Sequence, residues 1–550
     1  MTRITLYTLL FVVYSVAQCQ GVHIVQVPSS KNTPQGEKLV EEEQPVTSSS
    51  PSQPMTSSPP QLKEPKNITT TAAPDQCNLP PELVDEIKSY QDTVDQIIEY
   101  VVRGDYKGRT YEVLAELVDT FGPRMTGSGQ LEAAIDWMLE LSDAEGLENT
   151  HTEDVTAPHW VRNTESAWMT QPRLHQLNML GLGGSVGTPP EGIKAEVLVA
   201  KDFDDLQKHA DQAVGKIVVF NPVWVSYGET VKYRSQGASK AAEVGAVASL
   251  IRSIGPFSIN SPHTGQQEYT DPQHKIPTAC ITVEDAAMMD RMQARGQKIE
   301  VHLTMGAESY PDIITRNTIT EVLGHQAPDE AVVVSGHLDS WDVGQGAMDD
   351  GGGAMISWNS AVVLQRLGLR PRRTLRAILW AGEEQGLYGG FAYHKNHVNE
   401  SDKFQLLLES DIGTFNPLGL AFNGTQEATC ILEEVTKLLH SLNATKVVSP
   451  MDGGPDIEVW MKDGVPTGSL YNANERYFWF HHSNGDTLSV EDSDVLDHCL
   501  AVWTSVAYVA ADMTQRIPHG PSSKDPSLEV PKTQNYDTSK TPHSPRHQLG

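Results

Sequence analysis

The segment 335–353 concentrates side chains that could bind a metal ion. Its sequence, SGHLDSWDVGQGAMDDGGG, directly follows the apolar run 331–334. The imidazole of His337 and the carboxylate of Asp349 are both ligand types for divalent metals. Asp339 lies two residues after His337 and points to the same side of an extended chain, where it could accept a hydrogen bond from the second ring nitrogen of His337. The pattern predicts a metal site at the carboxyl end of a buried strand.

Three further apolar runs each lead into acidic or histidine side chains. They are 374–380 before Glu383 and Glu384, 405–408 before Asp411, and 477–480 before His481 and His482. We expect each run to be a strand whose end delivers these groups to one edge of a sheet. Two histidines and three carboxylates placed there could hold two divalent ions that share one aspartate.

Each of these patterns also has an ordinary structural explanation. Paired glutamates often form the first turn of a helix, and the run Asp-Asp-Gly-Gly-Gly is typical of a loop before a helix. A His-x-Asp pair is often a surface pair, and His-His beside aromatic residues could simply pack in the core. Four such patterns in this order are improbable by coincidence, which favours a metal site.

The complete motif set resembles the co-catalytic zinc aminopeptidase and carboxypeptidase family, over the range from about 77 to about 516. The motifs are His337-x-Asp339, Asp349-Asp350-Gly351, Glu383-Glu384, Asp411 and His482-x-x-x-Asp486-Thr487. The resemblance implies two Zn²⁺ ions per chain, one bound by His337 and Asp411, the other by Glu384 and His482, with Asp349 bridging them. It also implies that Glu383 is the general base and that the Asp349-Asp350 peptide bond is cis.

The residue before the last ligand departs from the family pattern. Many relatives carry tyrosine there, whereas this chain has His481. We assign the ligand to His482 because its spacing to Asp486 matches the family. His481 is then either a donor to the oxyanion of the reaction or a packing residue.

Composition and the chain ends indicate an exported protein. The 550 residues carry a formal charge of −30, which argues against nucleic acid as a partner. Residues 1–20 have the pattern of a secretory signal peptide. The Ser/Thr/Pro-rich segment 21–76 is expected to be disordered, and either O-glycosylated or removed as a pro-segment, and 517–550 is expected to be a disordered polar tail. No later stretch reaches transmembrane length. We therefore expect a secreted protein, or one that reaches lysosomes or another organelle of the secretory pathway.

Glycosylation and disulfide formation are expected in that compartment. Asn-x-Ser/Thr sequons begin at Asn67, Asn399, Asn423 and Asn443. Cleavage of the signal peptide leaves Cys77, Cys280, Cys430 and Cys499, whose pairing the sequence leaves open.

The remaining chain divides by its patterns into an interrupted α/β domain. Residues 77–191 begin with helical spacing, and 307–516 alternate strands and helices, which predicts a mixed, mainly parallel sheet covered by helices on both faces. Residues 192–306 are strand-rich and resemble the protease-associated domain inserted in related exopeptidases. This insertion holds none of the proposed ligands, so we expect a lid or spacer that narrows the cleft rather than a partner-binding module.

These observations together predict a zinc-dependent exopeptidase acting on dipeptides or other short peptides. The family resemblance further implies a homodimer. A non-catalytic receptor on the same scaffold is an alternative, but it should have lost ligands. A single-zinc glutaminyl cyclase of the same fold is a second alternative. The number of bound zinc ions would distinguish this cyclase from the di-zinc exopeptidase.

Overall fold

The computed structural model describes residues 77–522. The predicted signal peptide, the segment 21–76, the sequon at Asn67 and most of the predicted tail lie outside these residues. Among the described residues, no helix is long and apolar enough to cross a membrane.

The described chain contains fourteen α-helices and sixteen strands. The helices are α1 Pro81–Ser89, α2 Gln91–Ile98, α3 Arg109–Phe121, α4 Gly129–Ala144, α5 Phe203–Lys208, α6 Ala210–Ala213, α7 Tyr227–Thr230, α8 Lys232–Glu243, α9 Val283–Ala294, α10 Gly352–Leu367, α11 Tyr388–His397, α12 Gln426–Lys437, α13 Tyr477–Phe480 and α14 Ser493–Asp512. The strands are β1 Glu148–Val161, β2 Glu165–Gln171, β3 His175–Leu177, β4 Met179–Gly181, β5 Ile193–Ala200, β6 Ile217–Phe220, β7 Ala248–Arg252, β8 Thr278–Ile281, β9 Glu300–Met305, β10 Glu308–Val322, β11 Ala327–His337, β12 Arg373–Trp380, β13 Phe404–Glu409, β14 Pro417–Asn423, β15 Lys446–Val448 and β16 Thr467–Asn472.

The first sheet is mixed and has the order β1-β10-β12-β11-β13-β16-β14-β15. Its centre is parallel, because β11 pairs in parallel with both β12 and β13, and β13 with β16. Antiparallel strands β10 and β14 join this centre on its two sides.

Both faces of this sheet are buried, as the continuous apolar run of β11 requires. Val332 and Val334 pack into the core shared with α10 and α14, whereas Val333 packs on the opposite face with Tyr393 and Trp460. The predicted fold class, a mixed and mainly parallel sheet covered on both faces, is therefore confirmed.

The second sheet has the order β3-β2-β9-β5-β6-β7-β8-β4 and spans Glu165 to Met305. It has apolar cores of its own, one with α9 and another with α5 and α8. We expected this region to begin at residue 192, but strands β2 to β4 belong to it. β2 pairs antiparallel with β9, β4 pairs antiparallel with β8, and β3 pairs with β2. Strands β8 and β9 come about a hundred or more residues later, and local sequence patterns do not encode such pairing. The assignment of this region, here called the second-sheet region (residues 165–305), to the protease-associated type stays a prediction.

One disulfide joins the beginning of the described chain to α12. Cys77 and Cys430 are bonded, whereas Cys280 and Cys499 are buried free thiols. Burial raises the pKa of both free thiols, Cys280 to about 12, so they are poor nucleophiles.

The three described sequons differ in exposure. Asn399 and Asn443 are exposed, but Asn423 is half-buried and its side-chain oxygen accepts a hydrogen bond from the Met451 N–H at 3.3 Å. Glycosylation stays a prediction for all of them, and Asn423 is the least accessible.

Candidate metal centre

Parallel pairing brings three of the predicted ligand positions to one edge of the first sheet. His337 is the last residue of β11, Glu384 follows the end of β12, and Asp411 follows the end of β13. Because β11 lies between β12 and β13 and runs parallel to both, the carboxyl ends of the three strands meet.

Asp349 reaches the same edge from a helical turn, 347–351, that precedes α10. The buried carboxylate of Asp486 fixes this turn by accepting hydrogen bonds from the backbone N–H groups of Ala347, Met348 and Asp349, at 2.8 to 3.2 Å. The Asp349-Asp350 peptide bond is cis, as the resemblance implied. The Asp350 carboxylate turns back and accepts the backbone N–H of His337 at 3.0 Å.

Asp349 lies between two histidines and presents one carboxylate oxygen to each. Its Oδ1 is 3.2 Å from His337 Nε2, which is also 3.4 Å from Asp411 Oδ1. Its Oδ2 is 3.3 Å from His482 Nε2, which is also 3.0 Å from Glu384 Oε2. The structure thus brings all five predicted ligands together as two groups of three that share Asp349.

His481 lies beside this centre but farther from the acids. Its Nε2 is 3.7 Å from Asp349 Oδ2, and its ring stacks on His482 with ring centroids 3.5 Å apart. Burial lowers the pKa of His481 to about 3, so its ring is neutral. Since His482 contacts both Asp349 and Glu384, the geometry supports the assignment of the ligand to His482.

Two sequence-based expectations about the surroundings were wrong. The aromatic run before His481 is not a strand but the short helix α13, because a run of four apolar residues fits either structure. The Asp339 carboxylate does not accept the ring N–H of His337. The backbone carbonyl of Asp339 accepts it instead, at 2.9 Å, and the carboxylate is farther from the same nitrogen at 3.8 Å.

The carboxylate of Asp339 has a different task. It accepts the Gly382 N–H at 2.9 Å and, more weakly, those of Glu383 and Glu384 at 3.3 and 3.4 Å, as well as the Thr126 hydroxyl at 2.9 Å. Asp339 therefore fixes the turn that carries both glutamates, and is better described as a positioning residue than as a catalytic one.

Glu383, the predicted general base, faces the His337 side of the centre. Its Oε2 is 3.9 Å from His337 Nε2, and its side chain is 17% exposed. Burial, followed by the nearby Asp411 and Asp456 carboxylates, raises the pKa of Glu383 well above its usual range.

The donor set fits divalent cations. Asp349 Oδ2 and Asp411 Oδ1 are buried without a hydrogen-bond partner, and burial together with neighbouring carboxylates raises the pKa of Glu384 well above its usual range. Such a group of buried acids must either take up protons or be compensated by a cation. Zinc bonds of about 2.0 to 2.2 Å in tetrahedral geometry place donor atoms about 3.3 to 3.6 Å apart. The N···O separations of 3.0 to 3.4 Å are close to that range.

Two features near the centre carry no recognisable sequence signal. Arg124 is fully buried and donates to the backbone carbonyls of Leu338, Gln345 and Gly346, which holds the loop after His337. Asp456, also buried, has an unpaired Oδ2, and its pKa is raised to about 7 by burial and by the Asp339 and Asp411 carboxylates, against the opposing effect of His337.

Comparison with known proteins shows similarity to a family of peptidases. Residues 317–507 match the model of peptidase family M28. The chain is 54% identical over 437 residues to carboxypeptidase Q of Mus musculus, covering 80% of this chain and 93% of that protein. It is 52% identical over 433 residues to carboxypeptidase Q of Xenopus laevis, covering 79% and 92%.

Solved structures agree with this similarity. A peptidase M28 precursor from Shewanella amazonensis has a TM-score of 0.75 and 32% identity, covering 79% of this chain and all of that one. A zinc aminopeptidase from Bacillus subtilis shares the fold, with a TM-score of 0.58, 18% identity and coverage of 76% and 98%.

Proposed function

The chain belongs to peptidase family M28, together with the carboxypeptidase Q proteins, and we propose that it is a secreted di-zinc exopeptidase that hydrolyses dipeptides or other short peptides. The observation that carries the proposal is the position of Asp349, whose two carboxylate oxygens face two different histidine-acid pairs. A single ion would leave one of those pairs uncompensated in a buried site.

The five ligand side chains divide between two ions. His337 and Asp411 would hold one zinc, Glu384 and His482 the other, and Asp349 would bridge them. When bound, paired zinc ions polarise the carbonyl of the scissile peptide bond and lower the pKa of the attacking water.

Glu383 moves the proton in this scheme. Its carboxylate takes a proton from the attacking water as the new C–O bond forms at the peptide carbon. It then gives that proton to the departing amine nitrogen as the C–N bond breaks. Asp339 keeps Glu383 in place through the turn that it anchors.

His481 is proposed to donate to the developing oxyanion. Its neutral ring lies against His482 and its Nε2 is 3.7 Å from Asp349 Oδ2, so a ring N–H would lie near the carbonyl of a peptide bound at the metal centre. Packing against Tyr227 and Phe478, whose ring centroids lie 5.2 and 5.4 Å away, is its alternative role.

We also propose that the protein is secreted and forms a homodimer. The signal-like residues 1–20 and the Cys77–Cys430 disulfide are both typical of an oxidising compartment. Pairing into a homodimer rests on the family resemblance, and a single monomeric species in sedimentation at micromolar concentration would remove it.

A panel of free and end-blocked dipeptides tests the proposed activity. We expect hydrolysis of free dipeptides by the zinc-loaded protein, loss of activity after chelation, and recovery on adding zinc. N-acetylated substrates show whether a free amino end is needed, and C-amidated substrates show the same for the carboxyl end. Folded protein that binds two zinc ions but hydrolyses none of these peptides would contradict the proposal and favour a non-catalytic receptor. A single bound zinc would favour the glutaminyl cyclase alternative.

A further inference from the structure

The second-sheet region contacts the backbone of the metal centre through the segment His263–Thr264, beside the side-chain contacts of Tyr227 with His481 and of Arg234 with His482. His263 forms an antiparallel β-bridge with Ser483, and the Thr264 N–H donates to the His482 carbonyl at 2.8 Å. The ring Nδ1–H of His263 donates to the His481 carbonyl at 2.7 Å. The segment thus binds the backbone on both sides of a proposed zinc ligand.

The same segment favours one tautomer of His482. His482 Nδ1 lies 3.3 Å from the Thr264 carbonyl oxygen, which can only accept a hydrogen bond, and 3.5 Å from Arg234 Nη1, which can only donate one. Arg234 Nη1 also has the Thr264 carbonyl as an acceptor at 3.4 Å, so the shorter Thr264 contact favours an N–H on Nδ1. A neutral imidazole carries one N–H, so donation from Nδ1 leaves Nε2 with a free electron pair. That nitrogen is the one facing Glu384 and Asp349.

His482 needs this support because its backbone is strained. Its φ of +59° lies in the left-handed region, which is unfavourable for a residue with a side chain and persists only where the surroundings hold it. The hydrogen bonds to the carbonyls of His481 and His482 fix the two peptide units next to this torsion.

The segment is anchored by hydrogen bonds to the second-sheet region and to Arg162, which follows β1. The Thr264 hydroxyl donates to the Gly181 carbonyl at 2.8 Å and accepts from Arg162, whose guanidinium also pairs with Asp342 at 2.5 and 2.8 Å. The His263 N–H donates to Ser253 Oγ at 2.9 Å. His263 is 2% exposed, and its Nε2 has no hydrogen-bond partner, so the bond to His481 is the one its ring makes.

We propose that the second-sheet region is a structural part of the metal centre, in which His263 and Thr264 fix the position and tautomer of His482 and so raise zinc affinity. His263 is a positioning residue, because it acts through His481 and His482. This role differs from the lid or spacer expected from the sequence. The inference rests on the proposed zinc site but does not require any particular peptide substrate.

Zinc affinity of metal-free protein is the direct test. Zn²⁺ is titrated in competition with a chromophoric chelator, so no substrate is needed. In His263→Leu, which keeps the volume but removes the N–H, we expect one of the two zinc ions to bind about 10 to 100 times more weakly, as for other residues that orient metal ligands. His263→Asn should stay close to wild type, because its amide N–H takes the place of Nδ1–H. The control is His302→Leu, on β9 of the same region. The His302 ring contacts the Glu191 carbonyl rather than the backbone of His481 or His482.

The outcomes separate this inference from the proposed function. If folded His263→Leu binds both zinc ions with wild-type affinity, the inference is overturned and the proposed function stands. The same holds if His263→Leu and His263→Asn lose zinc affinity to the same extent. If His263→Leu does not fold, His263→Gln replaces it, because its amide reaches the position of Nε2 and cannot serve His481. Wild-type protein that binds no zinc would instead overturn the proposed function.

Discussion

Glu383 and Glu384 are adjacent and chemically alike, yet the structure gives them different positions. Glu384 Oε2 contacts His482 Nε2 at 3.0 Å and its side chain is 2% exposed, as a ligand held inside the centre should be. Glu383 is more open, 17% exposed, and its Oε2 stays 3.9 Å from His337 Nε2. Replacing either residue with glutamine removes a charge while preserving size. Because the positions differ, one substitution should reduce turnover and the other should reduce zinc binding.

Glu383→Gln should lower kcat with both zinc ions retained. A positioned general base contributes about 10² to 10⁴ in rate, and at 1.36 kcal/mol per factor of ten this corresponds to about 2.7 to 5.4 kcal/mol of transition-state stabilisation. Glu384→Gln should instead lower the affinity for one zinc ion by at least about tenfold, because a neutral amide is a poorer ligand than a carboxylate. Activity should then recover in part when zinc is added in excess.

Zinc content and dipeptide hydrolysis are measured on both purified variants, with circular dichroism to establish folding. Glu116→Gln, on the exposed face of α3, is the matched control and should change neither quantity. Near-normal turnover in folded Glu383→Gln would refute the role of Glu383 as base. Loss of zinc from Glu383→Gln but not from Glu384→Gln would show that the two roles are exchanged.

Three further predictions concern stability and reactivity. Arg124→Met removes the Arg124 donor from the carbonyl oxygens of Leu338, Gly122 and Gln345, at about 1 to 3 kcal/mol each, whereas the Gly346 carbonyl still accepts the Gly351 N–H. Urea unfolding should therefore show a loss of at least about 3 kcal/mol; a loss below about 1 kcal/mol would contradict this. Cys280 and Cys499 should resist iodoacetamide in native protein and react after denaturation, as peptide mapping would reveal; labelling of either native thiol would count against their burial. Burial raises the pKa of Asp456 from its usual 3.8 to about 7 in the folded state, so the folded state binds this proton more tightly than the unfolded state does. The stability that proton binding contributes is therefore lost as the pH rises from about 3.8 to about 7. Metal-free Asp456→Asn should therefore gain stability relative to metal-free wild type between these pH values in thermal unfolding, and a constant difference would argue against the raised pKa.

The sequence by itself predicted the proposed ligand residues and the parallel centre of the first sheet. Each strand that delivers a ligand is a continuous apolar run ending at a polar group, and this pattern depends only on neighbouring residues. It placed His337 at the end of β11, and Glu384 and Asp411 just after β12 and β13. Motif spacing also distinguished His482 from His481, and the geometry supports that choice.

Only the tertiary structure decided which groups support those ligands. The hydrogen bond from His263 to His481 crosses 218 residues, and the disulfide from Cys77 to Cys430 crosses 353. The task of Asp339 also changed, from the expected partner of His337 to the anchor of the glutamate turn, because side-chain direction depends on how the loops pack. Local patterns record which face of an element is buried, but such long-range contacts form only when distant segments fold together, and no short stretch of sequence contains them.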